Sequence, residues 1–192
     1  MANDATAFVL AGPAQMLYGD AGLEQELGKT WETPVVVRIR EESFDIHHHQ
    51  TGSNRWDAIT IGKTVEVEAS FSNLGWLLMM NTMPTETELC DSVTTPTAVA
   101  GDQSLELTAG LGTSHRDAAK RLIVIPYYNG APSANAETWF FFPLAYPRVE
   151  AEVNHAHDVQ KVWHVVFEIF PVSQDCPRLM FMGVEAMLCG CD

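Results

Sequence analysis

Apolar and polar residues alternate most cleanly between Lys63 and Ser72. Val65, Val67, Ala69 and Phe71 share one face there, and Thr64, Glu66, Glu68 and Ser70 the other. A period of two is that of a half-buried strand. Val35 to Ile46 carries the same period with a slip: Val35, Val37 and Ile39 have one parity, Phe44 and Ile46 the other. A shift of one within a strand predicts a bulge near Glu41. Between these strands, His47 to Gly62 contains Thr51-Gly52-Ser53-Asn54 and reads as a polar loop. Arg121 to Tyr128 is a further strand, ended by Asn129-Gly130, the strongest turn dipeptide in the chain. Glu137 to Val153 is strand-like, with Val149, Ala151 and Val153 alternating against Glu150 and Glu152. Its Pro143 and Pro147 imply a kink or an edge. Ser104 to Ala109, Val159 to Pro171 and Leu179 to Met187 complete the predicted strands.

One short buried helix is expected at Asn73 to Met80, where Asn73 can cap a run of unbranched apolar residues. Residues 81–103 are rich in Thr, Pro, Glu and Ser and read as an irregular loop. Gly110 to Arg121 reads as a turn, with Ser114 and Asp117 at capping-box spacing. Residues 1–12 form an apolar arm without strand alternation. There is no βαβ rhythm and no internal repeat. The expected fold is mainly β: a β-sandwich or partial barrel with one short flanking helix, as a single domain over residues 1–192.

Composition narrows the function. The 192 residues suffice for a core without disulfide staples, and 46% apolar against 19% charged residues argues for a folded chain. Asp plus Glu total 25 against 11 Lys plus Arg, a formal charge of −14. That balance argues against tight binding to nucleic acid or anionic membrane, which uses basic patches. It leaves open a passage that nucleic acid crosses without being gripped. The longest apolar run, Trp139 to Tyr146, is too short to span a bilayer and holds Pro143. The first residues show no secretory signal pattern. Cys90, Cys176, Cys189 and Cys191 contain no CxxC pair and read as reduced thiols.

No motif requires an enzyme. Gly22 and Gly28-Lys29-Thr30 imitate a phosphate loop, but the glycines are one residue too far apart. Glu24 and Glu26 would also repel phosphate where backbone amides should receive it. Gly110 and Gly112 are followed by His115 where a dinucleotide fingerprint wants Gly. His47-His48-His49 and His155-Ala156-His157 each hold an HxH pair, and two residues apart on a strand can share a metal. Such pairs resemble those of cupins, a metal-binding β-barrel alternative. Glu41 and Ser53 or Asn54 stand where that motif wants Gly and Glu. Ser114-His115 adjacency makes no dyad, and Asp91 beside Cys90 would raise the thiol pKa. The reading is no catalysis, no cofactor and no metal. Glu66 with Glu68, and Glu150 with Glu152, then mark solvated strand faces.

The order of features resembles a tailed-bacteriophage tail tube (major tail) protein. Ala14-Gln15-Met16-Leu17-Tyr18-Gly19 leads to Leu27-Gly28-Lys29-Thr30 and the strand from Val35. The Thr51-Gly52 loop and Asp57 to Gly62 feed the strand Lys63 to Ser72. Phe141-Phe142-Pro143-Leu144-Ala145 precedes Val149 to Val153, and Asp158-Val159-Gln160 opens a strand holding Phe167. The resemblance leaves out residues 81–121. It implies a β-sandwich-like subunit with a flanking helix, hexameric rings stacked into a tube, and an inner barrel built from residues 35–46, 63–72, 140–153 and 159–170. Glu66, Glu68, Glu150 and Glu152 would line an acidic lumen that lets DNA pass without specific binding. The loop 47–62 would contact the next ring through His47, His49, Arg55 and Trp56. Its partners would be other copies and further tail proteins such as terminator, tape measure, sheath or baseplate. It would be located in the virion tail, assembled in the host cytoplasm. A tail terminator or baseplate hub component has a similar fold and is the nearest alternative.

Overall fold

A computed structural model of the chain describes residues 12–30, 34–47, 55–71, 114–150, 163–173, 175 and 177–184. The expected helix at 73–80, the irregular loop at 81–103 and the strand at 104–109 lie outside the described residues. So do the His155-x-His157 pair and nearly all of the N-terminal arm. What is described is mainly β and antiparallel. The strands are β1 (Ala14–Gly19), β2 (Gln25–Lys29), β3 (Val36–His47), β4 (Arg55–Phe71), β5 (Lys120–Tyr128), β6 (Ala131–Pro132), β7 (Phe140–Glu150), β8 (Trp163–Phe170) and β9 (Phe181–Met182). They form one sheet in the order β2-β1-β5-β7-β8-β4-β3, with β6 paired to β5 and β9 to β7.

The sheet curls on itself. Its inward residues form one cluster drawn from every main strand, including Met16, Leu27, Val37, Val67, Phe71, Leu122, Phe142 and Phe167. A backbone bridge between Thr30, just after β2, and Phe71, at the end of β4, joins parts of the sheet that are far apart in strand order. Tyr18 of β1 reaches across this interior. Its ring lies 5.5 Å from that of Phe167 on β8, and its hydroxyl donates to the Ala145 carbonyl at 3.2 Å. The curl is what the alternation demands, because one apolar face per strand must be covered.

On β5 the alternation disappears, with Leu122, Ile123, Val124 and Ile125 all buried. Leu122 and Val124 join the interior. Ile123 and Ile125 face outward and are covered with Phe141 by Leu17, Trp139 and Phe181. A continuous apolar run is the mark of a strand buried on both faces. The β5–β6 turn has Asn129 at φ 52° and Gly130 at φ 83°, the positive pair that a tight hairpin turn needs. Asp117 N–H bonds Ser114 Oγ, as the capping spacing implied. β1 and β2 are not announced by the pattern of the chain. β1 is short and flanked by glycine and proline, and β2 is mostly polar.

Three expectations are corrected. The bulge lies on β4 and not on β3: Glu42 pairs with Gly62 and Ser43 with Thr60, which leaves Ile61 as the extra residue. The parity change in β3 has another cause. Beyond Arg40 the outward face turns apolar, and Phe44 is 63% exposed. The loop expected at 47–62 is largely strand, since β4 begins at Arg55 and Ala58 to Gly62 pair with Glu42 to Asp45. Pro143 and Pro147 do not mark an edge. β7 is central, and Pro143 sits at an irregularity between the Lys120–Ala145 and Leu122–Phe142 pairs, where no ladder donor is required.

Burial sets the alkaline limit of this core. It pushes the Tyr18 phenol well above its ordinary value, with Tyr146 and Asp20 adding to the rise and a backbone hydrogen bond at Lys120 opposing it. The unfolded phenol ionises near pH ~10. Stability from this group is therefore complete below that pH and declines above it. Tyr18→Phe is expected to cost about 1 kcal/mol at pH 7 through the lost hydrogen bond, and to flatten the decline above pH ~10. Phe167→Ala is expected to cost about 3–5 kcal/mol at either pH. Urea unfolding across that range measures both.

Candidate functional site

The strands matching residues 35–46, 63–72, 140–153 and 159–170 are β3, β4, β7 and β8, and they are neighbours in the order β7-β8-β4-β3. Their inward residues join the core. Their outward residues form a largely polar face, interrupted by Val36 and Val166 and fixed by register. Tyr146 stands opposite Glu168, Glu168 opposite Glu66, and Glu66 opposite Arg38. One step along, Arg148 faces Val166, Val166 faces Glu68, and Glu68 faces Val36. Ser70 faces His164, and its hydroxyl lies 3.2 Å from Nδ1 of that ring.

Opposite charges are interleaved on this face. Arg38 pairs with Glu68, and Arg40 lies 3.9 Å from Glu66. Arg148 donates to Glu168 Oε1 at 2.8 Å, and His115 Nδ1 lies 3.4 Å from Glu168 Oε2. The His115 ring also stacks on Tyr146, with centroids 4.1 Å apart and planes 9° apart. Its turn is fastened from the other side, where Arg116 donates to the carbonyls of Pro171 and Val172. Glu66 and Glu168 are like charges set directly opposite, an unfavourable arrangement. Arg40 on one side and Arg148 on the other offset it. Burial opposes ionisation of Glu168, but hydrogen bonds and charge from Arg148 and His115 outweigh it and hold the carboxyl below its usual value. Burial also raises the Tyr146 phenol, with a further push from the Glu168 charge.

Glu66 and Glu68 therefore lie together on this face, but not as a wall of one sign. The pattern Arg38–Arg40 against Val37–Ile39, and Glu168 between Phe167 and Ile169, carried the missing members in plain alternation. Arg148 and His115 had no such signal, because their roles depend on which strands become neighbours. Glu150 ends β7 opposite His164 in register, and His47 pairs with Arg55 at the far end of the β3–β4 hairpin. Trp56 is the extra residue at a second irregularity there, between the Ile46–Asp57 and His47–Arg55 pairs. Nothing further is described of those four side chains. Glu152 and His49 lie outside the described residues.

The hairpin itself is unusual. β4 pairs with β8 only from Glu66 onward, while its pairing with β3 continues to Arg55. Among the described residues, 55–64 thus extend as a two-stranded ribbon, roughly 33 Å at about 3.3 Å per residue. Phe44 and Ile59 face each other on it, 63% and 56% exposed, beside Ile61 at 67%. Among the described residues no group of three or more His, Cys, Asp or Glu is placed to hold a metal ion. No known family model and no curated protein matches the chain.

The ionic pairs on the polar face predict an acid dependence. A lowered carboxyl in the folded state stabilises above the unfolded value near pH ~4.3, and that stability disappears as pH falls through the folded value. Glu168→Gln is expected to lose about 1 kcal/mol or less at pH 7, consistent with partly exposed pairs. Chemical denaturation at pH 7 and pH 3 checks this, with the difference from wild type smaller at the lower pH.

Proposed function

We propose that the chain is a structural subunit of a phage tail tube, assembling as hexameric rings that stack around a passage for DNA. The observation that carries this reading is the β3–β4 ribbon. A two-stranded ribbon has little independent stability in water, and this one exposes three large apolar side chains beyond the core. Such a ribbon is supported when another chain covers it. The strand order adds to the argument. Among the described strands β3 ends the sheet on one side and β2 on the other, and these are the edges at which copies would pair.

The polar face of β7, β8, β4 and β3 is the proposed lining of the passage. Its charges suit transit for a reason other than a single sign. Arg38, Arg40 and Arg148 already face carboxylates. An arginine held by a carboxylate gains less from a phosphate, and strong nucleic-acid binding depends on basic groups that exchange counterions for phosphates. Other tail proteins, such as terminator, tape measure, sheath or baseplate, would cap, measure or enclose the tube. The site of action is the virion tail, after assembly in the host cytoplasm. The reading involves no catalytic step and no cofactor.

Purified protein examined by negative-stain microscopy and sedimentation is expected to show six-fold rings or tubes. Deleting residues 51–55 is expected to abolish tubes while leaving the circular dichroism unchanged. Discrete rings that never stack would favour a terminator or hub component. A protein that remains monomeric at millimolar concentration would overturn the assembly reading.

A further inference from the structure

The outward side of β5 and β7 holds a cavity of about 300 Å³, between the turn after β1, the start of β5, and β9. That volume lies at the small end of ligand sites and suits one large side chain. Phe141 and Phe181 line it, stacked with centroids 4.7 Å apart, and Pro143 and Leu144 supply further apolar wall. Cations surround these rings. Arg121 lies 5.1 Å from the Phe141 centroid and 3.2 Å from Glu24, and Arg178 lies 6.0 Å from the Phe181 centroid. Lys120 stands 3.6 Å from Asp20, which is itself well exposed. Among these described groups, three cations stand against two carboxylates on this rim.

The ribbon presents the complementary surface. Among the described side chains of the ribbon, Phe44 is an exposed aromatic one, with Ile59 directly opposite. Glu42 and Asp57, both exposed, are the neighbours of this pair along the same outward face. An exposed ring flanked by carboxylates on one part of the chain corresponds to an aromatic cavity flanked by cations on another. We propose that Phe44 of one copy seats in the Phe141–Phe181 cavity of a second copy, with Glu42 and Asp57 facing Lys120 and Arg178. The occupant is a second copy of this chain because the chain itself carries both halves of the match in aromatic content and charge.

Donor and acceptor lie on different strands, β3–β4 and β1–β5–β7–β9. In a stacked-ring assembly each copy gives its Phe44 to one neighbour and receives that of another, a head-to-tail contact that propagates into rings or filaments, whereas two copies that reciprocated would close as a two-fold dimer. This rests on the reading that copies of the chain assemble, and it adds which surface receives the ribbon.

Two variants each remove one half. Phe44→Asp removes the inserted ring, and Ala21→Trp, on the exposed turn lining the cavity, fills the space. Each alone is expected to lose self-association by roughly tenfold or more in sedimentation velocity while keeping the wild-type melting temperature. Mixed in equal amounts, they are expected to form a discrete dimer and nothing larger, because the first keeps its cavity and the second its Phe44. Lys120→Glu, tested the same way, serves if Ala21→Trp fails to fold, and its deficit is expected to be relieved by mixing with Asp57→Lys. Folded cavity variants that assemble as wild type does would overturn the proposal and leave assembly standing. Wild-type protein that does not associate would overturn both.

Discussion

Every long strand among the described residues turns an apolar face to one shared interior, β5 being apolar on its other face as well, and the described strands belong to a single sheet. The face has to be covered, so the sheet bends until β1 looks across at β8. Tyr18 makes the bend specific. Its ring packs on Phe167 while its hydroxyl satisfies the Ala145 carbonyl, so the same residue supplies apolar contact and a polar anchor in one place. The Thr30–Phe71 bridge ties the other side of the curl. Because the apolar residues are committed inward, the polar residues of β7, β8, β4 and β3 must share the opposite face. Register then decides which charges meet. The polar face is thus a consequence of the core.

The curl also explains where the apolar excess appears. β4 is longer than β8, and only its second half has core to cover. Over the first half the inward positions lie beyond the described core cluster, and Glu41, Ser43 and Asp45, all partly buried, occupy them on β3. The outward positions become Phe44, Ile46 and Ile59. The polarity of the two faces is exchanged at the place where the ribbon leaves the body. The Ile61 bulge lies at the same place and lets β4 change register as the faces exchange.

That exchange marks how far the sequence could be read. The alternation from Lys63 to Ser72 placed β4's core face correctly, and the Asn129-Gly130 turn placed the end of β5. Both are local signals. The slip at Glu41 was visible, but alternation alone cannot distinguish an extra residue from a change in which face is apolar. The deciding fact is the partner strand, and pairing between strands is not local. The Thr51-Gly52-Ser53-Asn54 segment biased its whole neighbourhood towards loop, although Ile59 and Ile61 already alternated with Ala58 and Thr60. The candidate face was half legible for the same reason. Glu66 and Glu68 were apparent from their own strand, whereas Arg38, Arg148 and His115 acquired meaning only when β3, β7 and the turn at 114–118 came beside them.

The formal charge of −14 looks like an obstacle to bringing copies together. Its distribution lessens the obstacle. On the polar face the described arginines and carboxylates are interleaved at short range, so their fields largely cancel beyond a Debye length of about 8 Å. Much of the excess lies in sequence elsewhere: Glu86, Glu88, Asp91, Asp102 and Glu106 fall within residues 72–113, which contain no Lys or Arg. In the proposed ring, the surfaces that line the passage would then carry little net repulsion, and the carboxylates beside Phe44 and the cations of the cavity rim would add a directional attraction. A chain can be strongly acidic overall and still self-associate when the surfaces that meet are locally balanced or complementary.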